Sequence, residues 1–293
     1  MRDLLVELKD GLKFLLLQES LSISDNVIEY TNIIIDMIRD KCNKGEFENK
    51  RKVILNDKEN GTARFSYCSS FTIKPDEHLE SLIPNIYSIS INVVDFLSKE
   101  EIKANFEEQN IGGDFIATYN TIKLKLPSIN GEIVDYMLRN SICHELEHAY
   151  QLAMARRYKS DKHYNIALDN LDNNDPVLIA ISRLIYFFNP MEIDAKMHEL
   201  YLELKWTEYN KALPIEERDY YINTFYNQLK SIEKEKLNDV LSKFFSIDYE
   251  TFFKKIDRNI KYFNSKAIRV YWKYIKDNDI NEIVEMPKWA PVR

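Results

Sequence analysis

The residues best suited to chemistry in this sequence lie in one short stretch, 141–150, which contains the pattern His-Glu-x-x-His. His144 and His148 are four positions apart, and residues at this spacing on a helix lie one turn above each other on the same face. Their imidazoles could bind one metal ion, and Glu145 could act on a water molecule held by that ion. The pattern therefore predicts a metal site of the kind that binds Zn²⁺.

The surrounding sequence favours a helix at this position. There is neither proline nor glycine from Glu132 to residue 158. Apolar residues recur there at helical spacing, namely Val134, Leu138, Ile142, Leu146 and Tyr150. The two histidines are therefore expected on one amphipathic helix.

The segments on either side of this helix differ in type. Residues 1–45 carry apolar stripes at helical spacing, whereas about 50–127 are rich in β-formers, with an alternating strand at 87–93 and a hairpin at 114–126. No glycine follows Gly131, and Pro176, Pro190 and Pro214 stand at predicted helix starts. We predict an α+β fold with N-terminal helices at 1–48, a core with a small mixed sheet at 49–210, and a largely helical C-terminal part at 211–293 that packs on the core.

A catalytic zinc ion needs a third protein ligand, with water in the fourth position. The extended motif with a third histidine fails here, because Gln151 and Met154 stand where its glycine and its last histidine would be. The candidate is Glu192, in the first turn of a helix that begins at Asn189-Pro190. Ala195 follows on the same helix and is small enough for a close helix approach.

Other interpretations of this region remain open. Asn189, Pro190 and Glu192 also fit a capping box, in which the glutamate only binds the amide of the N-cap residue. His163, His198 and Asp194 are alternative third ligands, while His78 is expected at the surface. None of the 18 tyrosines has a spacing that identifies it as an oxyanion stabiliser.

On these residues the chain resembles the gluzincins, zinc metallopeptidases with His-Glu-x-x-His on one helix and a glutamate on a later one. The resemblance covers about residues 85–205 and is greatest to small, single-domain bacterial and phage members. It implies a zincin-like fold in which Zn²⁺ is held by His144, His148 and Glu192. Glu145 would then be the general base that takes a proton from the zinc-bound water. The sequence departs from the family at Lys196, where an acid would be expected.

Composition narrows the classes of partner and compartment. The net charge of −7 and the pI near 5.5 argue against a nucleic-acid binder. Cys42, Cys68 and Cys143 have no Cys-x-x-Cys spacing, which fits a reducing compartment. No signal peptide and no apolar run of membrane-spanning length is evident. We expect a cytoplasmic protein, or one packaged in a virion if it is phage-encoded.

Two functions follow as expectations. The first is hydrolysis of peptide bonds, with strand 121–126 or strand 114–118 pairing with an extended polypeptide substrate. The alternative is a catalytically inactive, zincin-like structural or cargo protein of a larger assembly such as a phage particle. In that case the aromatic-rich C-terminal helices would contact the assembly partner.

Overall fold

The computed structural model describes residues 23–57, 62–105, 109, 111–116, 118–153, 162–206 and 213–278. They form two compact units, the first made of the described residues from Ser24 to Ala153, the second of Ile23 and those from Lys162 onward. The three-part division expected from the sequence, with boundaries at 48 and 210, stays a prediction. The first apolar stripe of the N-terminus and the tail 286–293 lie outside the described residues.

The first unit contains a six-stranded mixed sheet. Its strands are β1 (Asn49–Asp57), β2 (Thr62–Ile73), β3 (Ser88–Phe96), β4 (Gly112–Ile116), β5 (Thr121–Ile129) and β6 (Glu132–Ile133). The order is β1-β2-β3-β5-β4, with β6 paired to β5. β3 and β5 run parallel, and the other neighbours are antiparallel. β4 and β5 form the predicted hairpin, and β4 is an edge strand whereas β5 is internal.

Side chains alternate along β3 between the two faces of the sheet, and the inward-facing ones form one wall of the core. Ile89 and Ile91 are fully buried and pair in register with Ile122 and Leu124 of β5, which are buried as well. This is the period-two burial that the sequence predicted. Tyr87 does not belong to the pattern, because it precedes the strand and is 73% exposed.

Helices cover the sheet in the first unit. They are α1 (Asp25–Lys44), α2 (Glu77–Leu82), α3 (Lys99–Asn105) and α4 (Asp135–Ala153). α4 carries the His-Glu-x-x-His pattern, packs against α1, β4 and β5, and buries Leu138, Ile142 and Leu146 of the predicted stripe. Val134, the first residue of that stripe, lies just before the helix, because the preceding Glu132 and Ile133 pair with the end of β5.

In the second unit all secondary-structure elements of the described residues are helices. Its α-helices are α5 (Lys162–Leu168), α6 (Pro176–Phe187), α7 (Pro190–Trp206), α8 (Leu213–Tyr221), α9 (Asn227–Lys230), α10 (Lys234–Val240) and α11 (Tyr249–Asp277). Single π-helical turns follow α8 at Ile222–Tyr226 and α10 at Leu241–Phe245. Asp175 caps α6 by accepting from the amides of Val177 and Leu178, as a residue before an N1 proline can. α7 packs along α11, the longest helix of this unit.

The predicted α+β class is confirmed, since a mixed sheet and a helical second half are both present. Among the described residues no single helix is long and apolar enough to cross a membrane. The pair Pro176–Phe187 and Pro190–Lys205, bent by 64°, meets the criteria of length and composition only when taken together.

Candidate metal centre

α4 holds the two histidines of the motif with their rings converging. The Nε2 atoms of His144 and His148 are 3.1 Å apart, and the ring planes are nearly perpendicular at 85°. Two imidazole nitrogens bound to one tetrahedral zinc ion at about 2.0–2.1 Å would be about 3.3 Å apart. The observed distance between the Nε2 atoms is close to that value, so the rings need little movement to share an ion.

Glu192 lies in the first turn of α7, and its side chain is buried. Asn189 caps this helix by accepting from the amide of Met191 at 2.9 Å. The amide of Asn189 itself donates to the carbonyl of Tyr186 at 3.0 Å, so the hydrogen that a capping box would direct to Glu192 is already used. Glu192 Oε1 instead accepts from the hydroxyl of Tyr164 at 2.6 Å.

His144, His148 and Glu192 form a group that could hold a metal ion. Each offers one ligand atom, and these atoms lie within 4.8 Å of one another. Within the described ranges this is the one group of three or more His, Cys, Asp or Glu residues with such spacing. Two imidazoles and one carboxylate are donors that suit zinc and its neighbours among the divalent transition metals. The three predicted ligands therefore come together, while the identity of the metal stays a prediction.

The alternative ligands have other surroundings. His198 is buried, with Nδ1 3.0 Å from the carbonyl of Asp194. The Asp194 carboxylate forms a buried ion pair with Lys266 at 3.3 Å. Nδ1 of His163 lies 3.3 Å from Lys255 Nζ. In the part of the chain that the structure describes, none of the three alternatives belongs to a group of three ligand residues.

Glu145, the predicted general base, is buried on α4 beneath strand β4. A Cβ atom placed on Gly113 would lie 2.5 Å from Cγ and 2.9 Å from Oε1 of Glu145. Gly113 thus provides the space that the carboxylate occupies. The sequence alone does not reveal this role, because the pair Gly112-Gly113 indicates only a break between two elements.

Two further side chains support the histidine pair from the same helix. Nδ1 of His148 lies 3.3 Å from Oε1 of Gln151, and Nε2 of Gln151 donates to Oε1 of Glu147 at 3.0 Å. The sequence drew attention to Gln151 only as a departure from the extended histidine motif. Their spacing could have identified both residues, because Gln151 follows His148 by three positions and Glu147 by four on one helix.

A buried cation lies one helical turn beyond Glu192. Lys196 Nζ bonds to Glu217 Oε2 at 2.6 Å. Burial by itself would lower the pKa of Lys196, but the carboxylates of Glu199, Glu217 and Glu192 outweigh it and raise the pKa above its ordinary value. Lys196 is therefore charged at neutral pH.

Comparison of the chain with protein-family models, with characterised proteins and with solved structures gives no significant match.

Proposed function

We propose that this protein is a zinc-dependent metallopeptidase that hydrolyses peptide bonds in a polypeptide substrate. The observation that carries the proposal is the group of His144, His148 and Glu192, whose ligand atoms lie within 4.8 Å of one another, next to the buried Glu145. An ion that is held only for structure is usually enclosed by four protein ligands. Three protein ligands and an adjacent carboxylate are instead the donor set of a catalytic zinc site.

Each residue of the group would have a separate task. His144, His148 and Glu192 would hold the ion. When bound, Zn²⁺ supplies a Lewis acid that polarises a carbonyl and lowers the pKa of a water molecule toward neutrality. Glu145 would take the proton from the attacking water and deliver it to the leaving amine nitrogen.

The sheet offers a place for the substrate. β5 is paired on both sides, so of the two strands expected to bind a peptide only β4 has an edge that no described strand covers. An extended polypeptide could add to this edge through main-chain hydrogen bonds. Because Gly113 of β4 lies directly against Glu145, a peptide bond held there would be near the general base. A sheet that ends in such a strand, followed by the motif helix and a helical half, supports a zincin-like arrangement.

The proposal is tested by zinc content and peptide cleavage measured on the same preparations. We expect about one zinc ion per chain in the wild type and in Glu145→Gln, and much less in His144→Ala. Cleavage of a peptide library should fall by a factor of about 10²–10⁴ in Glu145→Gln, the contribution of a general base. Asp36→Asn, at an exposed position of α1, is the matched control and should cleave like the wild type.

The outcomes separate the two functions expected from the sequence. Wild-type protein without stoichiometric zinc would refute the metallopeptidase. Zinc bound at full stoichiometry without cleavage of any peptide would favour the inactive structural or cargo protein. Cleavage that depends on Glu145 supports the enzyme.

A further inference from the structure

A short chain of hydrogen bonds on α4 ends at His148. Glu147 is fully buried and Gln151 is 1% exposed. Gln151 Nε2 donates to Glu147 Oε1 at 3.0 Å, and Gln151 Oε1 lies 3.3 Å from Nδ1 of His148. The amide of Gln151 thus connects a buried carboxylate to the second histidine of the metal group.

The carboxylate decides which way the amide points. Oε1 of Glu147 accepts the hydrogen bond from Gln151, and a glutamine amide has one donating and one accepting end. With its nitrogen directed to Glu147, Gln151 must present its oxygen to the imidazole of His148. The flipped amide would set two acceptor oxygens against each other in a buried place, which is costly.

The orientation of the amide in turn decides the tautomer of His148. An oxygen near Nδ1 requires that Nδ1 carry the hydrogen, because a neutral imidazole has one donor and one acceptor nitrogen. Nε2 then keeps its lone pair. This is the nitrogen that lies 3.1 Å from Nε2 of His144, on the side where a metal ion would bind.

We propose that Glu147 and Gln151 are positioning residues that lock His148 in the Nδ1–H tautomer and so prepare Nε2 to bind a metal ion. The use of this device rests on the proposed function, but the device itself is a property of the protein without metal. The two glutamates of the motif thus have different tasks. Glu145 acts on the reacting atoms, and Glu147 acts only through Gln151 on a ligand.

The first test is the tautomer of His148 in metal-free protein, measured by NMR of ¹⁵N-histidine-labelled chain at about pH 8, above the ordinary pKa of histidine. His148→Gln assigns the resonances. We expect the Nδ1–H form in the wild type and a loss of that preference in Gln151→Leu. His148 found in the Nε2–H form in the wild type would overturn the proposal.

The second test is zinc affinity, measured by competition with a chromophoric chelator. Gln151→Leu and Glu147→Gln should each weaken zinc binding by about 10–100-fold, as for other partners of a metal-bound histidine. The double variant Glu147→Gln/Gln151→Glu exchanges the two groups. The carboxylate introduced at 151 accepts from Nδ1–H and the amide introduced at 147 donates to it. We therefore expect the exchange to restore affinity to within a few-fold of the wild type.

The two tests distinguish this proposal from the proposed function. An exchange variant that binds zinc no better than Glu147→Gln would contradict the proposal. Restoring the direction of the hydrogen bonds from residue 147 to His148 would then have no effect on zinc affinity. A wild type with Nδ1–H at His148 but no affinity for zinc would support the positioning and refute the metallopeptidase. If a variant fails to fold, the tautomer of His148 in the wild type still tests the positioning proposal.

Discussion

Gly113 of β4 approaches Glu145 of α4 so closely that no side chain fits between strand and helix. A Cβ atom at this position would lie 2.5 Å from Cγ and 2.9 Å from Oε1 of Glu145, and 3.0 Å from Cδ2 of Leu124. Contacts this short require that one of the partners move. The glycine therefore fixes where the proposed general base can lie.

Gly113→Ala is expected to displace Glu145 and to lower kcat for peptide cleavage by about 10–100-fold, because a shift of about 1 Å at a reacting group can have that effect. Zinc content should stay at the wild-type value, since no metal ligand is touched. Asp114→Ala, at the next and exposed position of β4, is the control and should retain activity. A crystal structure of Gly113→Ala with Glu145 in place, together with full activity, would contradict the prediction.

Tyr164 fixes one oxygen of the carboxylate ligand. Its hydroxyl donates to Glu192 Oε1 at 2.6 Å, and hydrogen bonds to an ionised acceptor are stronger than neutral ones. Tyr164→Phe keeps the ring and removes this bond. We expect zinc affinity to fall by about tenfold, the lower end for the loss of a partner to a metal ligand.

Tyr186→Phe is the matched control for Tyr164→Phe. The ring of Tyr186 stacks on that of Tyr164, with centroids 5.8 Å apart. The substitution therefore removes a hydroxyl from the neighbouring ring and leaves the hydrogen bond from Tyr164 to Glu192 intact. Equal zinc dissociation constants in the wild type and in Tyr164→Phe would show that the hydroxyl does not position the carboxylate.

Local sequence patterns were sufficient to predict most of the helices and strands. Alternation predicted β3, and the pairs Asp175-Pro176 and Asn189-Pro190 predicted the starts of α6 and α7, because capping is settled by adjacent residues. Val134, the first residue of the predicted apolar stripe, lies outside α4 for a physical reason. Glu132 and Ile133 fit a helix by composition, but pairing with β5 provides backbone partners that the sequence alone does not reveal.

The sequence predicted the candidate ligand residues of the site, but it did not predict the residues that contact and position them. His144 and His148 follow from helical spacing. Glu192 was ambiguous from sequence, since a capping box and a metal ligand have the same local pattern, and only the direction of its carboxylate separates them. Tyr164 and Gly113 touch their partners across 28 or more positions of chain, and no local rule encodes such contacts.

Lys196 is expected to make the free energy of unfolding depend on pH in the alkaline range. Its pKa in the folded chain is raised above the ordinary 10.5. A raised pKa means that the contribution to stability is fully present below 10.5 and is lost as the pH rises through the folded value. Lys196→Met should lower the free energy of unfolding by about 2 kcal/mol at neutral pH, the value of a hydrogen bond between charged groups.

The difference in unfolding free energy between wild type and Lys196→Met should stay constant from about pH 7 to pH 10 and shrink above it. Urea unfolding at a series of pH values measures it. Lys205→Met, at an exposed position of the same helix, is the control and should show little change at any pH. A difference that already declines between pH 7 and 9 would contradict the raised pKa.

The buried ion pair of Asp194 and Lys266 is expected to anchor the helix that carries Glu192. Both side chains are nearly inaccessible, and Asp194 Oδ1 also accepts from the hydroxyl of Tyr262 at 3.0 Å. Lys266→Met leaves a buried carboxylate without its cation and should lower the free energy of unfolding by about 3–5 kcal/mol. Removing both charges in Asp194→Leu/Lys266→Met should cost less than the sum of the two single changes, because no uncompensated charge remains.

A double-mutant cycle followed by urea unfolding measures the coupling between Asp194 and Lys266. The same cycle on Lys234 and Glu250, an exposed pair 2.7 Å apart, is the control. Its coupling should be several times smaller, since solvent and salt screen surface charges and the long side chains lose freedom when they pair. Equal coupling in the two cycles would mean that burial does not strengthen the Asp194–Lys266 pair.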